Sequence, residues 1–64
     1  MIIIVLDYCS GTVLKFILTD VETVIYKRDP DEYISQLYDE YNLRESDCEY
    51  MAVDEYKEEM HFVK

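Results

Sequence analysis

Glycine and proline are nearly missing from this chain of 64 residues, which holds one of each, Gly11 and Pro30, and no tryptophan. So few backbone breakers exclude collagen-like and Pro/Gly-rich disordered classes. Cysteine is scarce too: Cys9 and Cys48 form no C-x-x-C pair and lack the density of secreted disulfide scaffolds, so a reduced, cytoplasmic setting is expected. No apolar run is long enough to span a bilayer, and the opening Met1 to Leu6 has neither the charged region nor the cleavage site of a signal peptide. At this length the chain is expected to form one domain over residues 1–64, with little room for an internal pocket.

Bases are the other shortage, six Lys and Arg against fifteen Asp and Glu. Their placement is uneven. Residues 1–28 carry Asp7, Asp20 and Glu22 against Lys15, Lys27 and Arg28 and are neutral, whereas residues 29–64 carry twelve acids against Arg44, Lys57 and Lys64 and account for the whole net charge of −9. Binding to phosphate backbones or anionic membranes needs clustered bases, so neither nucleic acid nor membrane is an expected partner. A protein with a basic surface fits the charge.

What is present is organised around Asp29 to Leu43. Asp29 is an N-cap, Pro30 suits the first helical position, and Glu32 stands where a capping box has its acceptor. Ile34, Leu37, Tyr38 and Tyr41 recur at helical spacing as a core face, opposite Glu32, Ser35, Gln36 and Asp39. Asn42 can close the helix in the left-handed conformation, with Leu43 making the apolar contact of a Schellman motif.

In chain order, Ile2 to Leu6 predicts a central strand, and Asp7 to Gly11 a hairpin turn. Thr12 to Thr19 predicts a second strand. Val21 to Lys27, rich in β-branched residues, predicts a third strand at an edge, although a short helical turn also fits. After a polar connector at Arg44 to Asp47, Cys48 to Val53 predicts a strand with Cys48, Tyr50 and Ala52 on one face and Glu49, Met51 and Val53 on the other. Asp54 to Lys57 reads as a turn, and Met60 to Val63 as a short last strand. The expected class is α+β, a βββαββ domain with a mainly antiparallel sheet and one helix on one face. Since the first strands carry apolar groups on both sides, the second sheet face needs a cover. That cover is a homodimer partner, another protein, or this chain's own Met60, Phe62 and Val63.

The run Asp7, Tyr8, Cys9, Ser10, Gly11, Thr12 with Lys15 beyond resembles the phosphate-binding hairpin of actin-like and sugar-kinase ATPases. That resemblance implies nucleotide binding, but those families enclose the nucleotide between two large domains, so a plain hairpin turn is expected here. Cys9-Ser10-Gly11 likewise resembles a phosphatase loop, with Lys15 where that motif has arginine and a strand where it needs a helix N-terminus. Asp54, Glu55, Glu58, Glu59 and His61 follow neither EF-hand nor H-E-x-x-H spacing and read as a solvated acidic turn. No catalytic, cofactor or metal residues are therefore assigned.

Seven tyrosines in a chain this short are unusual, and tyrosine suits core margins and interfaces alike. Tyr38 and Tyr41 are placed in the core, Tyr33 at its rim, and Tyr8, Tyr26 and Tyr56 on a contact surface. Asp39 and Glu40, at a helix end where the dipole favours cations, join Asp31, Glu32, Glu45, Asp47 and Glu49 as an acidic outer surface. Such a surface imitates phosphates toward a basic partner or keeps a tyrosine-rich chain in solution. In length and acidity the chain is similar to small proteins of phages and mobile elements that act by binding, such as antirestriction and anti-CRISPR inhibitors and antitoxins. The expected function is a non-catalytic, inhibitor- or adaptor-like binding module. The alternative is an assembly protein that oligomerises through its apolar sheet.

Overall fold

The computed structural model describes residues 1–63. It is a small α+β domain with a three-stranded antiparallel sheet and two helices packed against it. Strands β1 (Ile2–Asp7) and β2 (Thr12–Ile17) form a hairpin, helices α1 (Asp20–Arg28) and α2 (Pro30–Glu40) follow, and a 3-10 turn at Glu45–Asp47 leads into β3 (Cys48–Val53). The order is β2-β1-β3, so the most apolar strand is central, and Ile3, Ile4 and Val5 are almost fully buried there. Gly11, at φ 69°, takes the left-handed conformation that the hairpin turn requires.

Register separates the sheet's two faces. Ile3 lies between Phe16 and Ala52, and Val5 between Leu14 and Tyr50; this face meets Leu18, Ile34, Leu37, Tyr38 and Cys48 in one core under the helices. The opposite face carries Ile2, Ile4 and Leu6, flanked by Val13, Lys15 and Ile17 on β2 and by Glu49, Met51 and Val53 on β3.

Helix α2 begins and ends by the expected chemistry. The Asp29 carboxylate accepts the Glu32 N–H at 3.3 Å, and Pro30 opens the first turn. The reciprocal half of a capping box is not made, because the Asp29 N–H already closes α1 on the Ile25 carbonyl at 3.4 Å. At the other end Asn42, at φ 56°, lets the Leu43 N–H reach the Tyr38 carbonyl at 2.8 Å and its own N–H reach Asp39 at 3.4 Å, the two bonds of a Schellman motif. Asp29 thus joins two helices through one residue. Asp29→Ala is expected to cost about 1 kcal/mol, read as a lower urea midpoint with an unchanged slope.

Two expected strands are absent. Val21 to Lys27 lies within α1, where Thr19 caps the Glu22 N–H at 3.2 Å, Asp20 and Glu22 occupy the first turn, and Lys27 and Arg28 the last. These groups satisfy the end N–H groups and the helix dipole, and together with packing on α2 they outweigh the β-propensity of the valines and isoleucine. Tyr26 meets Tyr33 of α2 edge to face at 5.8 Å. Met60 to Val63 forms no strand, and Met60, Phe62 and Val63 stand 79 to 94% exposed, so they do not fold over the second sheet face. The observed order is ββααβ, with two helices on one face. No helix among the described residues is long and apolar enough to cross a membrane.

Candidate protein-binding surface

The hairpin turn is closed by its own side chains. Asp7 accepts the Cys9 N–H at 3.0 Å and the Ser10 hydroxyl at 2.8 Å, and the Ser10 hydroxyl also lies 2.8 Å from the Thr12 hydroxyl. The Asp7 carboxylate is thereby engaged in turn bonds, as the plain-hairpin reading expects. Cys9 is exposed there and Cys48 is buried; both are free thiols. Burial, with the Asp7 and Asp47 carboxylates beside it, pushes the Cys48 thiol up and keeps it protonated, as suits a core residue.

Four of the expected contact residues come together at one end of the sheet. The Tyr8 N–H donates to the Asp47 carbonyl at 2.8 Å, which docks the hairpin turn on the segment before β3. The exposed Tyr8 hydroxyl donates to Glu49 at 3.3 Å, and that carboxylate raises its pKa. Glu45 and Glu49 line an open groove beside β3 with Ile34, Tyr38, Cys48 and Tyr50. Asp47 is half-buried and pairs with Arg44 at 3.5 Å, so it contributes less free charge than expected.

A second acidic group lies on α2, where Asp31, Glu32, Asp39 and Glu40 are all exposed. Asp31 acts electrostatically on Tyr50, and Glu40 faces Tyr33. None of these four forms an ion pair among the described residues; the pairs found there are Arg44 with Asp47 and His61 with Glu59.

Two tyrosines depart from the expected surface, and a third from the expected core. Tyr26 is half-buried at the rim of the core, against Tyr33 and beside Tyr50, and so presents less surface than expected. Tyr56 is half-buried on the other side of the sheet, where the Lys15 ammonium sits 4.1 Å from its ring centroid. Tyr41 is 50% exposed and makes an edge contact with Phe16 at 4.9 Å.

Sequence reasoning expected an uncovered apolar sheet face but did not place the apolar side chains of α1 in solvent. Ile17 is 82% exposed, Val13 and Met51 about half, and on α1 Val21, Val24 and Ile25 are uncovered as well. The signal for α1 was in its termini: Thr19, Asp20 and Glu22 at the start, Lys27 and Arg28 at the end. Comparison with known proteins found no matching family model, no matching curated protein and no matching solved structure.

Proposed function

We propose that this chain is a non-catalytic binding module of the cytoplasm that presents an acidic surface to a basic protein, in the manner of an inhibitor or adaptor. The observation that carries this reading is the set of exposed carboxylates on α2, Asp31, Glu32, Asp39 and Glu40, without an ion-pair partner among the described residues. Fixed on a capped helix, they hold a constant spacing at little entropic cost, which favours recognition of a complementary basic surface. Tyr8, with Glu45 and Glu49 beside it, extends the surface with an aromatic group. The two free thiols support a reducing compartment.

The test is retention of partners from a host lysate by the wild type and by the variant Asp31→Asn, Glu32→Gln, Asp39→Asn, Glu40→Gln. The wild type is expected to retain a basic protein that elutes at high salt, and the variant to lose it. Retention that is indifferent to both salt and substitution would reject the reading.

A second reading, assembly into homo-oligomers, is favoured by a different observation: Val13, Ile17 and Met51 share one sheet face and are solvent-exposed. The α2 carboxylates and this sheet face lie on opposite sides of the sheet, so the two readings are compatible there, while Glu49 borders the apolar face.

A further inference from the structure

Strand β3 lies at an edge of the sheet, and the ladder fixes which of its backbone groups are used. The Tyr8 N–H bonds the Asp47 carbonyl at 2.8 Å, and bonded pairs alternate along an antiparallel ladder, so Glu49, Met51 and Val53 turn their N–H and C=O toward β1. Cys48, Tyr50 and Ala52 turn theirs to the outside. The Cys48 N–H is taken by the Glu45 carbonyl, whereas the N–H and C=O groups of Tyr50 and Ala52 have no backbone partner among the described residues.

This edge is guarded differently from the other. β2 carries Lys15, a residue type that discourages an added strand, while β3 has no lysine, arginine or proline. Arg44, just before it, is paired with Asp47 at 3.5 Å. Each side of the β3 edge also has a groove. On the helix side Ile34, Tyr38, Cys48 and Tyr50 line one together with Glu45 and Glu49; on the other side Ile4, Leu6 and Met51 line a second, with Glu49 at its border. For a second copy, itself at −9, these carboxylates make the edge unfavourable. For a basic segment they are an attraction.

We infer that the β3 edge takes an extended basic segment of a partner protein as a fourth strand of the sheet, bonded to the backbone of Tyr50 and Ala52. Successive side chains of an added strand point to opposite faces. Bases on one face then meet Glu45 and the rings of Tyr38 and Tyr50, and apolar side chains on the other meet Ile4, Leu6 and Met51. The segment that fits therefore alternates arginine or lysine with apolar residues. The inference rests on the acidic-surface reading and adds the form in which the partner engages it.

NMR titration of the full chain with a blocked heptapeptide of alternating arginine and valine tests it, beside the same peptide N-methylated at every residue. The first peptide is expected to bind, more weakly as salt rises, and to slow hydrogen exchange at the Tyr50 and Ala52 amides. The second, equally charged but without backbone donors, should bind at least about tenfold more weakly. Ala52→Pro removes an outward N–H and leaves the bonds to β1, which Met51 and Val53 make, so it should weaken the first peptide about tenfold with unchanged circular dichroism. Met51→Lys, at an exposed position in the apolar groove, should weaken it as well and does not depend on how the strand tolerates proline. Equal binding of the two peptides, without slowed exchange at Tyr50 and Ala52, would overturn the inference, and so would a first peptide that fails to bind at millimolar concentration. The acidic-surface reading fails separately, by lysate retention that is indifferent to salt and to the α2 substitutions.

Discussion

Ile3→Ala is expected to lower the unfolding free energy by about 2–5 kcal/mol, the range for removing a buried isoleucine side chain from a core that cannot fully collapse around the gap. Ile3 is fully buried on the central strand, between Phe16 and Ala52 and beneath the helices. A domain of this size commands only roughly 3–10 kcal/mol in total, so one substitution removes a large share. The melting temperature should fall by roughly 10–30 °C. Urea titration of Ile3→Ala beside Ile17→Ala checks the assignment of faces: Ile17 is 82% exposed within one copy, so its truncation should leave the unfolding of the monomer nearly unchanged. A loss at Ile17 that matched the loss at Ile3, under monomeric conditions, would mean that the sheet faces are assigned wrongly.

Alkaline pH should unfold the protein over a narrow interval. Tyr8, Tyr33, Tyr38, Tyr50 and Tyr56 all have pKa values above the ordinary 10, for several physical reasons. At Tyr50 the first cause is the Tyr26 hydroxyl beside it, followed by partial burial and the Asp31 charge, and together they push it up to about 12. At Tyr38 burial dominates, and at Tyr8 the Glu49 carboxylate. A phenol whose folded pKa exceeds its unfolded value holds its proton longer in the native state. Stability is therefore at its full level below pH 10 and declines as pH rises through the folded values, up to about 12 for Tyr50. Tyrosinate absorbance and circular dichroism followed together should move as one transition within that window. Tyr50→Phe should make the decline shallower, and the same decline in the variant would show that Tyr50 is not among its causes.

The fold was legible wherever a local rule and the tertiary requirement agreed. Asp29, Pro30, Asn42 and Leu43 mark the ends of α2 through bonds that form within a few residues of one another, and the structure contains those bonds. The hairpin was equally local: the Asp7 carboxylate closes the turn and Gly11 supplies the positive φ. At Val21 to Lys27 two local signals conflicted. β-Branched residues favour a strand, while Thr19, Asp20, Glu22, Lys27 and Arg28 favour a helix, and packing of Tyr26 on Tyr33 joined the second set.

The acidic surface was legible as composition and only in part as geometry. Helical periodicity places Asp31, Glu32 and Asp39 outward, because one helix face is committed to the core. That Tyr8, Asp47 and Glu49 share one end of the sheet depends on β3 lying antiparallel to β1 with Asp7 opposite Cys48, a pairing between residues some forty positions apart. No spacing along the chain encodes it. The sequence by itself determined the central strand, the hairpin, the second helix and the charge division, since each follows from periodicity, capping or composition within a short window. Only the tertiary structure decided that α1 is a helix, that Tyr26 belongs to the core, and that Tyr56 meets Lys15 while Phe62 stays in solvent. Each of those depends on which distant surface a side chain meets, and the burial gained there outweighs local preference.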